Sequence, residues 1–474
     1  MKAPLKINLK PSDSVQNALA LAFIFTWILS FPMHGPFLEE IFGAKAYILG
    51  HTFTLSHGLG LIIFAFLPPV ASNDKRFIIF SGAVIFFLTS IWTFSPSINP
   101  SIISCLLGLI SAYLVLAWIP CFLNENSPAI TVGLAMATAN ILLGLAGFAH
   151  LLSYSFLKIA ASFTGLGPLL GALYIGNKYF ASNLTEVETG IKKMGTGTIV
   201  SIIAFSAAAY FSGGFWFRAV MPIFYSRWPA IMGIDSFIYA ATVLGLALYA
   251  RKNSFVWLGP VALSLLGLGL TASLIGLDSP VIIVITVLLL ITGFGATDLF
   301  YWLTLRGLTK NLESRKVFGL GLGLSLFFIT VPGIALDAQF LPSPLLSPSA
   351  AVFGACLLFM INPLLIWFLR PLSFYEQDKT NSPNKLIEST SDGSDLKTDA
   401  EKMIWGFPSF RNNLTNSEKK VYELICQGHK DSEIAEKLII SRHTVKFHVR
   451  NILRKSGTSN RKELMILVSN TEII

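Results

Sequence analysis

The chain has 474 residues, of which 53% are hydrophobic and only 13% are charged. Soluble globular domains carry roughly 25% charged residues, so the composition excludes disordered and collagen-like chains and argues against an ordinary soluble enzyme. The formal net charge of +9 is uneven, with +7 in residues 1–370, −3 in residues 371–410 and +5 in residues 411–474. This distribution predicts a hydrophobic body, an acidic polar connector and a basic tail.

Apolar runs of about 20 residues, the length that crosses a bilayer, recur along residues 1–370. They predict twelve membrane-spanning helices in an all-α membrane domain. The predicted spans are 17–33, 46–67, 77–94, 101–123, 128–152, 155–175, 195–217, 230–250, 255–277, 280–303, 317–338 and 347–369. The first run follows three lysines but lacks a small-residue cleavage site, so a retained helix is predicted rather than a signal peptide.

Basic residues between the spans set the predicted orientation, because cytoplasmic loops are enriched in Lys and Arg. With the N-terminus inside, 15 Lys and Arg fall on the inner side and 4 on the outer side, namely Lys45, Lys158, Arg218 and Arg227. Both termini are therefore predicted to be cytoplasmic, in a multi-pass protein of the cell inner membrane.

Six spans, a polar connector at 177–194 and six more spans form an arrangement that resembles the major facilitator superfamily. The loop after span two carries Asp74-Lys75-Arg76, which is similar to part of that family's Gly/Asp/Arg motif but lacks the glycines. The resemblance covers most of residues 1–370. It implies two six-helix halves and a small-molecule site near the bilayer midplane.

Polar side chains inside the spans are candidates for that site, because such residues are costly in a membrane. His57, Tyr113 and Asn140 are the predicted ligand residues, and hydrogen bonding between neighbouring helices is the more common alternative for any one of them. Asp298 is predicted to lie about 27 Å along span ten, near its cytoplasmic end. Pairing with Arg306 or with the basic loops, as a gate or a rim charge, is expected there rather than a ligand site.

Charged residues on the outer side and glycines inside the spans make two further predictions about the body. On the outer side, Glu39, Glu40 and Arg218 form a candidate salt-bridge gate, with solvated rim charges as the default alternative. Two glycine motifs lie inside spans, Gly165-x-Gly167-x-x-x-Gly171 and Gly319-x-Gly321-x-Gly323. Because no strand precedes the first motif, it is not a nucleotide-binding loop, and both motifs predict close helix packing.

Residues 371–410 are rich in Ser, Thr, Asn and Asp. Such a composition cannot bury enough apolar surface to order itself. It predicts a flexible linker with an r.m.s. reach of roughly 35 Å.

Residues 411–474 predict a domain of four short helices. The first, at about 415–427, has a capping box formed by Thr415 and Glu418 and a left-handed stop at Gly428. The second is expected at about 431–438, the third at about 442–456 after a three-residue turn, and the fourth from about residue 460.

The third helix of the tail has two chemically different faces at 100° per residue. Val445, Val449 and Ile452 share one face, with His448 at its edge. The opposite side carries basic, aromatic and amide side chains: His443, Lys446, Phe447, Arg450, Asn451 and Arg454. An apolar side that packs on a small core and a basic side that stays exposed suit entry into the major groove of DNA.

The tail resembles the LuxR/FixJ-type helix-turn-helix regulators at many fixed positions. These are Leu414-Thr415-x-x-Glu418-x-x-Val421, Gly428, Glu433-Ile434-Ala435-x-x-Leu438-x-x-Ser441-x-x-Thr444-Val445-Lys446-x-His448, Ile452-x-x-Lys455 and Asn460-Arg461. The resemblance implies binding of double-stranded DNA, with the third helix as the recognition helix.

The same resemblance implies roles for individual residues. Base edges are expected to meet Lys446, Phe447 and Arg450, and the rest of the predicted DNA-binding set is Arg442, His443, Thr444, Asn451, Arg454 and Lys455. A dimer of the tail on DNA is expected through Leu464, Leu467 and Val468. Two positions depart from the family pattern: Lys430 stands where a capping Ser is common, so Asp431 is the expected cap, and Phe447 is bulkier than usual.

These features predict a membrane-bound transcriptional regulator whose membrane domain senses a small molecule. The main alternative is a secondary transporter with a regulatory DNA-binding tail, and a third is an enzyme embedded in the membrane. The sequence contains no P-loop, no HExxH and no nucleophile elbow, so no catalytic site, cofactor or metal is predicted.

The charge asymmetry makes a testable prediction about topology. Reporter fusions at Tyr225 should report the outside, and fusions at Thr185 and Tyr375 should report the cytoplasm, because the positive loops are retained inside. The measurement is the activity of compartment-specific reporters such as alkaline phosphatase. A fusion at Tyr375 that is active only outside would place the tail away from DNA and overturn the functional interpretation.

Overall fold

The computed structural model describes residues 13–67, 75–95, 98–182, 196–215, 221–228, 233–275, 278–309, 313–337, 352, 354–363, 414–438, 440–456 and 464. The regular structure of these residues is entirely helical. The chain divides into two compact units, Met1–Ser382 and Pro383–Ile474. The division falls within the predicted linker, and the two units are described separately below.

The helices of the first unit follow the order expected of a polytopic bundle. They are α1 (Asp13–Ser30), α2 (Pro36–Phe42), α3 (Ala46–Phe66), α4 (Lys75–Phe94), α5 (Pro100–Leu123), α6 (Pro128–Ala146), α7 (Tyr154–Thr164), α8 (Leu166–Ser182), α9 (Thr196–Phe215), α10 (Met221–Arg227), α11 (Ile234–Ala250), α12 (Leu258–Ile275), α13 (Pro280–Leu308), α14 (Ser314–Asp337) and α15 (Gly354–Pro363). Short 3-10 turns at Gly43–Lys45 and Gly147–Leu151 adjoin α3 and α6.

Each of the twelve predicted spans overlaps one of these helices. Among the described residues, eight helical stretches are long and apolar enough to cross a membrane: Pro36–Phe66, Lys75–Phe94, Pro100–Leu123, Pro128–Leu151, Tyr154–Lys178, Leu258–Ile275, Pro280–Leu308 and Ser314–Val331. Shorter apolar helices at Ser14–Ser30, Ile234–Ala250 and Gly354–Pro363 coincide with three further predicted spans. Span ten is longer than predicted, because α13 continues to Leu308 rather than ending near residue 303.

The first half of the body (α1 to α8) meets the second half (α9 to α15) where α3 packs on α14. A Cβ atom added to Gly319 would lie 2.6 Å from the carbonyl oxygen of Leu61, and one added to Gly323 would lie 2.9 Å from that of Gly58. Only a residue without a side chain fits at these points. The close packing predicted for this glycine motif is confirmed.

The two halves meet again where α6 packs on α11. A Cβ atom on Gly133 would overlap the Cβ of Ala247, and one on Gly144 would lie 2.7 Å from the ring of Phe237. The two crossings together join the six-helix halves by direct backbone approach rather than by long interlocking side chains.

The other predicted glycine motif also lies at a helix crossing. Gly167 and Gly171, on α8, face the carbonyl oxygens of Phe23 and Ala20 on α1. A Cβ atom on Gly171 would lie 2.9 Å from the Ala20 oxygen. The motif therefore serves helix packing, as predicted.

The crossing between α6 and α11 generates a prediction about stability. Gly133→Ala should destabilise the body by about 1–3 kcal/mol, because the added methyl overlaps Ala247 in a packed interior. The measurement is the thermal unfolding of the purified full-length protein in detergent. Gly245→Ala on α11 is the matched control, since no atom lies within 4 Å of its added Cβ. Equal unfolding temperatures for the two variants would contradict the close approach at this crossing.

Candidate functional site

The tail begins with a helix whose start and stop are both fixed locally. In α16 (Asn416–Cys426), the backbone N–H of Glu418 donates to the Thr415 hydroxyl over 3.3 Å, and the Thr415 N–H donates to the Glu418 carboxylate over 2.8 Å. Gly428 follows with φ +84°, a left-handed conformation that costs glycine little. The predicted capping box and stop are confirmed.

The start of the second tail helix, α17 (Asp431–Lys437), corrects the sequence prediction. The residue at the N-cap is Lys430 and not Asp431, and the Lys430 N–H donates to the Glu433 carboxylate over 2.9 Å. A lysine side chain has no acceptor atom, so only the Glu433 side of the capping box forms. This hydrogen bond, together with one from His429, lowers the pKa of Glu433 below its usual value.

The third tail helix is α18 (Arg442–Ser456), and its bounds match the prediction. The Ser441 hydroxyl accepts from the Thr444 N–H over 3.0 Å and lies 2.8 Å from the Thr444 hydroxyl. Ser441 is thus the cap that starts this helix. The sequence prediction placed Ser441 in the turn and in the family pattern without a capping role, although a Ser directly before a helix is a readable capping signal.

A small apolar core fixes the rotation of α18 about its axis. Val445 and Ile452 are fully buried, and Val449 packs against the same cluster, as predicted. The remaining buried members come from all parts of the tail: Leu414, Val421, Ile425, Ile434, Ala435 and Leu464. The side of α18 that carries Val445 and Ile452 therefore faces inward.

The outward side of α18 is basic. Arg442, Lys446 and Arg450 are exposed, and Phe447 keeps 44% of its surface accessible. Thr444 and Asn451 are half-buried beside them. His443, Arg454 and Lys455 belong to the same helix, but their side chains lie outside the described residues.

The predicted dimer contact of the tail consists of Leu464, Leu467 and Val468. Leu464 is fully buried in the tail's own core, so its side chain is already in use and cannot also face a second copy. Leu467 and Val468 lie outside the described residues.

In the membrane body, the three predicted ligand residues each have neighbours of their own. The His57 Nδ1 lies 2.8 Å from the Ser111 hydroxyl and 3.1 Å from the Gly108 carbonyl oxygen, and the buried ring stacks on Phe53. Tyr113 contacts the rings of Phe64 and Phe77. Asn140 donates to the Met136 carbonyl oxygen over 2.9 Å. No contact between described residues brings these three side chains together at one point.

Asp298, predicted to lie about 27 Å along its span, is hydrogen-bonded to two other helices. Tyr210 on α9 donates to Asp298 Oδ1 over 2.8 Å, and Tyr239 on α11 donates to Oδ2 over 2.5 Å. The extension of α13 to Leu308 leaves Asp298 ten residues, or about 15 Å, inside the helix end. Sequence reasoning missed this cluster, because its members are separated by 88 and 59 residues.

Arg306, the expected partner of Asp298, binds elsewhere. Its guanidinium donates to the carbonyl oxygens of Leu123 and Glu125 over 2.9 and 2.7 Å, and it lies over the ring of Phe122. A cation at the carboxyl end of α5 complements the helix dipole there. The contact joins the second half of the body to the first.

The predicted outer gate is only partly described. Glu39 and Glu40 are exposed on α2. Arg218 lies outside the described residues.

Comparison with known proteins places the tail in a family. Residues 412–468 match the luxR family of bacterial regulatory proteins. The spore germination protein GerE of Bacillus subtilis is 38% identical over 53 residues, which cover 72% of its length and 11% of this chain. Through this domain, the chain belongs to the luxR family. Its tail is accordingly a helix-turn-helix, DNA-binding domain.

Longer relatives match a small share of the chain. An uncharacterised response regulatory protein of Escherichia coli, YgeK, is 37% identical over 94 residues, or 18% of this chain and 63% of its own length. The helix-turn-helix transcriptional regulator MalT of Vibrio campbellii is 37% identical over 57 residues, or 12% of this chain and 6% of its own length. The chain thus spans less than two thirds of the length of either relative.

The membrane body is similar to a solved transporter. The human organic anion transporter MFSD10 (TETRAN) superposes with a TM-score of 0.57 over 75% of this chain and 100% of its own. Sequence identity is 13%, so the similarity concerns the fold alone. The body has the major facilitator fold, joined to a luxR-family domain.

Proposed function

We propose that this protein is a membrane-bound transcriptional regulator. Its tail binds promoter DNA from the cytoplasmic side of the inner membrane, and its body senses a small molecule that controls the tail. The observation that carries the proposal is the exposed basic side of α18, in a luxR-family domain covalently joined to a membrane body.

Electrostatics supports the DNA-binding part of this proposal. Residues 411–474 carry a net charge of +5, and Arg442, Lys446 and Arg450 all stand on the outward side of one helix. Neutralisation of phosphates by Lys and Arg releases counterions, so the affinity for DNA should fall steeply with salt. Recognition of a DNA sequence also requires a hydrogen-bond donor that reaches a base edge. Lys446 and Arg450 can both donate to guanine.

We assign different roles to residues along α18. Lys446, Phe447 and Arg450 meet base edges, with the Phe447 ring against a thymine methyl. The hydroxyl of Thr444 and the cations Arg442, Arg454 and Lys455 meet phosphates, and His443 and Asn451 flank them. Two tails on adjacent half-sites, in contact through Leu467 and Val468, complete the proposed complex.

The first prediction for this function concerns the recognition helix. Arg450→Ala should cost about 1–3 kcal/mol on the cognate site and relax the preference at one base position, because a donor to a base edge is lost. The sites are found by genome-wide mapping of the DNA that the full-length protein occupies. Binding to those sites is then measured by fluorescence anisotropy with purified tail.

Two variants control for other effects of substitution. Lys420→Ala removes the same charge from exposed α16 and should weaken all DNA slightly and alike. Ile452→Val trims the buried core, so it should lower stability by about 0.5–1.5 kcal/mol and leave the base preference unchanged. If Arg450→Ala binds every sequence as well as the parent does, α18 does not read the groove.

The sensing part of the proposal rests on the architecture of the body. A ligand changes DNA binding only if it binds two conformations with different affinities. The two halves meet through glycine crossings and through the Arg306 contact, and the proposal requires them to change their relative position. His57, Tyr113 and Asn140 remain predicted ligand residues, and Asp298 is added to them below.

The second prediction tests whether the body controls the tail. The body is replaced by an unrelated single-span anchor, and expression from the mapped promoters is compared for the parent and the chimera. With the parent, expression should change when a small molecule related to the target genes is added. With the chimera, expression should not change, because the chimera has no second conformation that a ligand could select. An identical response in the two proteins would reduce the body to an anchor.

The alternative function is secondary transport with a regulatory tail. One observation favours it: the major facilitator fold is shared with a transporter over most of the chain. Vesicles that contain residues 1–370 separate the two functions. Gradient-driven, concentrative uptake would support transport, and binding without uptake would support a sensor.

A further inference from the structure

A half-buried carboxylate on α13 lies among aromatic side chains from three helices. Asp298 accepts hydrogen bonds from Tyr210 and Tyr239, as described above, and all three side chains are only partly buried. The exposed apolar residues of α13 (Val281, Val284, Ile285 and Leu288) point roughly a quarter turn away. Asp298 therefore faces the neighbouring helices and not the surrounding lipid.

The cluster lies at the junction of the two halves of the body. The Tyr239 hydroxyl is 3.7 Å from the sulfur of Met136, which belongs to α6 of the first half, whereas Asp298, Tyr210 and Tyr239 belong to the second half. A ligand held here touches both halves, which is the placement that a change of conformation requires.

Among the described residues, the hydrogen-bond partners of Asp298 are the neutral hydroxyls of Tyr210 and Tyr239. The ion pairs of the described residues join Arg227 to Asp278, Lys316 to Glu313 and His429 to Glu433, and the nearest arginine along α13, Arg306, donates to carbonyl oxygens. Each oxygen of Asp298 lies within hydrogen-bond distance of a tyrosine hydroxyl, and these two hydroxyls can hold an ionised carboxylate by donating to it. An isolated carboxylate inside a membrane is costly. A cation bound beside the carboxylate offsets this cost.

The surroundings suit an organic cation. The ring of Tyr210 packs edge-on against Tyr301 at 5.6 Å, and the Tyr301 hydroxyl is fixed by the Gly321 carbonyl oxygen at 2.8 Å. Aromatic faces attract ammonium groups, and the sulfur of Met136 is a soft apolar contact. A carboxylate beside aromatic rings thus offers one charge and an apolar wall.

We propose that Asp298, Tyr210 and Tyr239 form the binding site for an organic cation, an ammonium group carried on an apolar body. Asp298 supplies the counter-charge, the two hydroxyls hold the carboxylate in place, and Tyr301 supports the ring of Tyr210. This inference rests on the proposed function, because it names the chemical class of ligand that the body senses.

The test measures the binding of simple probes to the full-length protein. Benzyltrimethylammonium, benzyl alcohol and benzoate are titrated into the protein in detergent, with calorimetry as the readout. The cation should bind, and the neutral and anionic compounds should bind much more weakly. Asp298→Asn should weaken binding of the cation by about tenfold or more, because the buried charge partner is lost.

Matched variants keep the result interpretable. Asp235→Asn alters another aspartate that is hydrogen-bonded to a tyrosine, Tyr225, and it should leave the affinity unchanged. Asp298→Glu keeps the charge and should retain binding within about tenfold of the parent. If Asp298→Asn does not fold, Tyr239→Phe keeps the carboxylate but removes one donor, and a several-fold loss of affinity is expected from it.

Three outcomes would overturn the proposal. Asp298→Asn could bind the cation as well as the parent does, benzoate could bind in preference to the cation, or none of the probes could bind, in which case the carboxylate carries only a proton. The proposed function is tested apart from this, by the effect of small molecules on DNA occupancy. If DNA occupancy responds only to compounds that are not cations, the cation site is contradicted and the proposed regulator is not. If the cation binds without any effect on DNA occupancy, the proposed regulator is contradicted and the cation site is not.

Discussion

The membrane body depends on one constraint: polar groups inside hydrocarbon must find their partners within the protein. Hydroxyl groups find such partners within their own helix. Thr54 and Thr89, for example, each donate to the carbonyl oxygen four residues earlier. A larger network satisfies Glu125, which is almost fully buried and accepts from Ser14 and Asn17. The amide oxygen of Asn17 in turn accepts from Tyr174 and Lys178. Asp298 is an exception of a different kind, because both of its hydrogen-bond partners are neutral hydroxyls.

The long helix α13 links this exception to the contact between the two halves. Asp298 and Arg306 are eight residues apart on one continuous helix, or about 12 Å. Arg306 donates to the carbonyl oxygens at the end of α5, and Asp298 is bonded to α9 and α11. A rigid helix cannot move at one of these positions without affecting the other. For a ligand at the proposed Asp298 site, α13 therefore links occupancy to the contact between the halves.

The sequence predicted what local patterns determine. Hydropathy located the spans, because twenty apolar residues in succession have few alternatives to a membrane helix. Helical periodicity located the inward side of α18 from Val445 and Ile452. The errors arose where distant residues or an unusual cap decide the structure. The end of α13 was predicted five residues too early, and the tyrosine partners of Asp298 follow no local pattern. Asp431 was assigned as the cap because the Lys430 side chain has no acceptor atom. In the structure, the hydrogen bond from the Lys430 backbone N–H to Glu433 takes the place of a side-chain cap.

The connection between the two units limits how the proposed regulation can work. The composition of residues 371–410 predicts a coil with a reach of roughly 35 Å, and a coil transmits neither rotation nor force. The linker instead keeps the tail close to the membrane. A tethered tail is confined to a thin layer and meets another tethered tail at high effective concentration. Binding of two half-sites depends on that concentration. Control by the body therefore reduces to a change in how many tails are free to pair, through contact with the body or through the spacing of neighbouring bodies. Such control needs no rigid joint, and it is compatible with a luxR-family domain that folds around a core of its own.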